Sequence, residues 1–138
     1  MSVRCLYYYG ALNFASDPAL KENVQDADLS RCYRTVQDIP LRRFKYIDPY
    51  LSTFQQRDVH RLGFLATELE REFPKSITYT QINEIPGYES TFRMIDTQQI
   101  EMSHLGATKV LMGKVSSLTT TLHDLRQEMS SLKNLLCL

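Results

Sequence analysis

A serine and a lysine five residues apart, Ser16 and Lys21, carry types that can do covalent chemistry. In a Ser–Lys dyad the amine takes the hydroxyl proton and the freed oxygen attacks a carbonyl carbon. The lysine must be neutral for this, and therefore desolvated. Taken alone, the two residues read as a cap and a solvated cation at a helix start. Positions i and i+5 of a regular helix lie about 140° apart around its surface. Either Ser16 precedes the helix, which Pro18 permits, or the lysine reaches across from another subunit. Spacing leaves both open.

Other chemistries find less support. Cys5, Cys32 and Cys137 are scattered, odd in number and never in CxxC spacing, so they form neither a disulfide framework nor a metal knuckle. His60, His104 and His123 are isolated, no metal-ligand set is expected, and no cofactor is implied. His60 reads as an exposed loop residue, and Glu68 and Glu70 as solvated helix residues rather than catalytic acids. There is no Gly-rich phosphate loop and no G-x-S-x-G elbow.

The elements that must position Ser16 and Lys21 divide the chain in two. All five prolines fall at or before Pro86 and the last aromatic is Phe92, so a mixed first two-thirds precedes a helical last third. Val3 to Tyr9 has strand composition. Asp17 with Pro18 signals a helix start, and Asp28 caps a second helix with Leu29, Cys32, Tyr33 and Val36 on one face. Leu41 to Ile47 suggests a strand, and Pro49 to Asp58 a polar loop. Leu62 to Leu65 reads as a short strand running into a helix from Ala66 to Phe73, which Pro74 ends. Ile77 to Ile82 and Tyr88 to Ile95 read as strands about a turn at Asn83 to Gly87. From Thr97 onward the pattern is helical.

Within that last third, Val115, Leu118, Leu122, Leu125, Met129, Leu132 and Leu136 follow one another at spacings of 3, 4, 3, 4, 3 and 4, with Leu111 extending the seam upstream. This is an a/d heptad stripe about 31 Å long. So narrow a stripe suits a helix packed on copies of itself, whereas a core-facing helix usually shows a wider apolar face. The other reading is a terminal helix folded back on its own domain. Leu at every d position with Val, Leu and Met at a leaves dimer and trimer open.

At 138 residues, with 43% hydrophobic and 23% charged residues, the chain has the balance of one folded soluble domain. Sixteen basic side chains against sixteen acidic ones exclude a chain-wide basic field for nucleic acid. No apolar run approaches a membrane span, and the first residues lack the apolar stretch of a signal peptide.

The motif Ser16-Asp17-x-x-Leu20-Lys21-x-Asn23-Val24 resembles the S-D-x-x-L-K-x-N-I opening of the intramolecular chaperone auto-processing domain, the endosialidase-type chaperone or peptidase family S74. Leu62-Gly63-Phe64-Leu65-Ala66-Thr67-Glu68-Leu69 with Phe73-Pro74 is similar to the family's G-F-I-A-Q-E and F-P signature, with Thr67 for the usual Gln. Ala107 and the closing Leu/Val repeat are similar to its C-terminal coiled coil. The resemblance spans about Ser16 to Met129. Where the family commonly has Arg before the Leu-Lys pair, this chain has Ala19, preceded by Pro18.

The resemblance implies an α+β fold: residues 1–15 ending an upstream β-stem, a head of short strands and helices at 16–100, and a helix at 101–138 forming a parallel trimeric coiled coil. It also implies a homotrimer that chaperones its own upstream fibrous β-structure, as at the ends of phage tail spikes and fibres and in myelin regulatory factor-like proteins. Release would follow by autoproteolysis of the Ala15–Ser16 bond, with Ser16 as nucleophile and Lys21 as general base. Neither nucleic acid nor membrane is an expected partner of this domain. Its compartment would follow its source: virion or host cytoplasm for a viral chain, a membrane-tethered precursor for a myelin regulatory factor-like one. Two further readings stand beside this: a trimerisation and fold-initiation module that never cuts, and a coiled-coil adaptor whose head binds a partner.

Overall fold

The computed structural model describes residues 16–54 and 60–137. The expected strand at Val3–Tyr9, together with Cys5 and Ala15, lies outside the described residues, as do residues 55–58 of the expected loop.

Local chemistry starts each element of the head. Asp28 Oδ1 accepts from the Arg31 N–H at 2.9 Å, capping α1 (Leu29–Asp38), which ends just before Pro40. Strand β1 (Arg42–Phe44) pairs antiparallel with β2 (Arg61–Gly63), setting Arg42 opposite Gly63. A Cβ at position 63 would stand 2.9 Å from Phe44 Cε1, so the glycine lets the ring lie across the strand. Between these strands runs α2 (Asp48–Thr53), and after them α3 (Ala66–Leu69). Strands β3 (Ile77–Ile82) and β4 (Ser90–Ile95) form a second antiparallel pair, in register from Ile77 opposite Ile95 to Ile82 opposite Ser90. Their connection contains Gly87 at φ +80°, a left-handed conformation that favours glycine.

The core is small. Leu69, Ile77 and Ile100 are buried together, with Ile39, Phe64, Ala66, Phe73 and Ile95 packed around them. Ile100 belongs to α4 (Gln98–Leu136), a helix of 39 residues and about 58 Å, which is therefore rooted in the head. Ile39 sits at the Ile100 end, Cys32 touches α4 at Gly106, and Tyr33 meets Lys114, so α1 lies antiparallel along α4. Gly106 is where the two helices come closest: a Cβ there would fall 2.9 Å from both Cβ and Sγ of Cys32. Beyond Val110 every described residue of α4 is exposed. The seam is thus uncovered within one chain, with Leu118 69% and Leu125 54% accessible.

Several elements differ from the sequence expectation. Residues 49–53, expected as loop, belong to helix α2: Pro49 occupies the first turn, Leu51 is buried, and Thr53 Oγ1 donates to the Pro49 carbonyl at 2.7 Å. The helix expected from Asp17–Pro18 is one 3-10 turn, Pro18–Leu20. The helix expected to reach Phe73 is regular only to Leu69, and Pro74 opens a second 3-10 turn, Pro74–Ser76. No described helix is long and apolar enough to cross a membrane.

Candidate active site

The tight turn at 17–21 brings Ser16 and Lys21 together. Asp17 Oδ1 accepts from the Ala19 N–H at 2.8 Å, and the Leu20 and Lys21 N–H groups donate to the carbonyls of Asp17 and Pro18 at 3.0 and 3.1 Å. Pro18 fixes φ at the first position of this turn and so helps build it. Lys21 leaves in an extended conformation, φ −123° and ψ 145°, which swings its side chain back over the turn. Its Nζ donates to Ser16 Oγ at 2.8 Å. Ser16 therefore precedes the turn, and the contact forms within one chain. A 3-10 turn followed by extended backbone closes a spacing that a regular helix would hold apart.

Asn23, also in the opening motif, has φ +53°, the left-handed region that Asn tolerates better than other non-glycine residues. It redirects the chain two residues after the lysine. Nothing in the sequence pattern alone marked it as a backbone position.

This segment is open to solvent. Every residue from Ser16 to Arg31 is exposed, including Leu20 at 72% and Val24 at 78%. Ser16 and Lys21 are hydrogen-bonded to each other, and among the described residues neither a histidine nor a carboxylate is bonded to either. His60 lies exposed just before β2. The cleavage partner Ala15 lies outside the described residues.

The second motif has an architectural role here. Phe64, Ala66 and Leu69 face the core, and Gly63 accommodates Phe44. Glu68, expected to be solvated, instead receives Arg42: Nε donates to Oε2 at 3.0 Å while Nη2 donates to Oε1, a fork that ties α3 to β1. Those hydrogen bonds hold the Glu68 carboxyl below its ordinary range against partial burial, and hold the Arg42 guanidinium above its own. Glu70 is also engaged. It accepts from the Tyr79 hydroxyl at 2.6 Å and pairs with Arg93 at 3.3 Å. The Tyr79 hydroxyl, and then Glu70, raise the Arg93 guanidinium above its ordinary value. Sequence reading missed both links because their partners lie on other elements.

Among the described residues no three His, Cys, Asp or Glu side chains are grouped to hold a metal ion, and Cys32 and Cys137 are free thiols. The arrangement that stands out chemically is a hydroxyl in contact with an amine on an exposed arm, ahead of an α+β head and an uncovered helix. Residues 16–78, a stretch that opens at Ser16 and takes in both motifs, match the peptidase S74 family, described as the chaperone of endosialidase.

Proposed function

We propose that the chain is a C-terminal intramolecular chaperone that trimerises through α4, supports the folding of an upstream fibrous β-structure, and then releases itself by cutting the Ala15–Ser16 bond. The observation that carries this reading is the 2.8 Å contact between Lys21 Nζ and Ser16 Oγ within the matched segment. The match also begins at the residue that would become the new N-terminus.

In the reaction, neutral Lys21 takes the Ser16 hydroxyl proton as Oγ attacks the Ala15 carbonyl carbon. The C–N bond breaks as the ester forms, and the proton passes from Lys21 to the departing Ser16 amine. Water then hydrolyses the ester, freeing the Ala15 carboxylate and restoring the Ser16 hydroxyl. Ser16 and Lys21 are exposed in the single chain, whereas this chemistry needs a desolvated amine. Assembly supplies the missing cover.

The a/d seam from Leu111 to Leu136 supports self-association, since packing helices on one another removes its leucines from water. Glu128 and Lys133 fall at g and e positions five residues apart, the spacing that pairs opposite charges between parallel helices in register. Three parallel copies also let three stem chains enter the head from one end. A denaturing gel of the expressed chain tests the reading: a large and a small fragment that both vanish in Lys21→Arg support it, because a guanidinium stays protonated. A single uncut band from the wild-type chain favours the trimerisation module that never cuts.

A further inference from the structure

The a/d seam does not stop at Leu111. Carried on towards the head at the same spacings of 3 and 4, it takes in Thr108, His104 and Glu101. His104 then holds a d position and the other two hold a positions. All three are exposed. The covered side of this part of α4 is a different stripe: Ile100 and Ala107 are buried, Ser103 and Val110 are half-buried, and Gly106 beside them meets Cys32 of α1. At about 100° per residue the two stripes lie about 100° apart around the helix. Helix α1 therefore leaves the lower seam open down to the head.

In one chain His104 is a single imidazole on a helix surface, so no group of metal ligands forms among the described residues. A parallel trimer in register brings the three copies of each d residue to the axis in one layer. At neutral pH each imidazole keeps one unprotonated nitrogen. Three such nitrogens around an axis are the protein donors of a tetrahedral zinc site whose fourth position is left to water, with Zn–N distances of about 2.1 Å. An isolated histidine in the sequence thus becomes a set of three by symmetry.

The layers on either side suit a cation. Glu101 lies one turn nearer the head on the same face, where it accepts from the Thr97 hydroxyl at 2.8 Å. Three copies bring three negative charges to the layer next to the imidazoles. Thr108, in the layer above, is uncharged and turns its hydroxyl back to the His104 carbonyl at 2.9 Å. Three carboxylates beside three neutral imidazoles are costly to enclose between helices unless positive charge joins them.

We propose that the His104 side chains of three chains hold one divalent transition-metal ion, of the zinc class, where the coiled coil enters the head. The site rests on the parallel trimer proposed above and exists only within it. Its consequence is a lock on register: the ion joins the chains only when all three helices are aligned at this level, and its binding energy then adds to the stability of the trimer.

Zinc titration of the full-length Ser16→Ala chain, which stays intact whether or not the wild type cuts, tests this. Cys137→Ser is added to remove an exposed thiol as a competing ligand. Chelator-treated protein is titrated by calorimetry, and light scattering gives the mass of the same sample. The expected result is one zinc per three chains and an unfolding midpoint that rises when zinc is added. Both effects should be lost in His104→Leu, which keeps the trimer because leucine suits a d position. A trimer that takes up no zinc, binds one per chain, or binds it equally in His104→Leu overturns the site and leaves trimerisation standing. A chain that is not trimeric removes trimerisation, and the site with it.

Discussion

Ser16 and Lys21 show how little a residue pair means until its backbone is known. On a regular helix their side chains diverge, yet a 3-10 turn capped by Asp17 and an extended Lys21 bring Nζ to 2.8 Å from Oγ. The pair stood out in its motif, but its closure did not, because it depends on where one turn stops. Asn23 stops it. At φ +53° a β-branched side chain costs about 1–2 kcal/mol, which corresponds to roughly a 5- to 30-fold loss in the population of that conformation. Asn23→Val should therefore slow cleavage by about that factor, while Asn23→Gly, free to adopt positive φ, should keep a rate near wild type; timed denaturing gels would read both. Equal slowing by the two variants would assign the asparagine side chain a role beyond the backbone.

At the scale of elements, periodicity and capping located α1, β3, β4 and α4, since each is long enough to show a pattern or opens on a strong cap. Helix α2 escaped because six residues hold less than two turns and its cap position, Ile47, makes no side-chain hydrogen bond. Contacts between elements were the least visible. The Arg42–Glu68 fork joins residues 26 positions apart, and no local pattern announces it. Its carboxyl is held below the ordinary range, so its contribution is present above that range and is lost as pH falls through the lowered value. Acid titration of unfolding should show a step in wild type that Glu68→Gln lacks. The two helical glycines make a sharper contrast. Gly113 has open space where a Cβ would go and sits away from the seam, so Gly113→Ala should stabilise by about 1 kcal/mol. Gly106→Ala gains the same helix propensity but drives a methyl into Cys32, and overpacking of about 1–3 kcal/mol should make it net destabilising. Thermal unfolding should move the two melting temperatures in opposite directions.

The whole molecule is underfilled as a single chain. Among the described residues six hydrophobic side chains are buried and twenty-two large ones are exposed, ten of them on α4 beyond Val110. Such a surface is suited to burial against copies of itself. The heptads foretold the helix and its stripe, and could not foretell that α1 packs along its lower end, where Gly106 and Ala107 are buried. Leu118→Asp with Leu125→Asp should give a monomer by light scattering with the head still folded, because carboxylates at two d positions cannot be buried unpaired. If cleavage needs the covered, desolvated site, that monomer should also stay uncut. A cut made by Ser16 on its own N-terminal bond can be read by intact mass spectrometry of the purified chain beside its Ser16→Ala variant. The expected result is a product beginning at Ser16, 15 residues shorter than the 138-residue chain, in wild type and absent from the variant. A wild-type chain that keeps all 138 residues after assembly, or a variant that is cut just as fully, would contradict it.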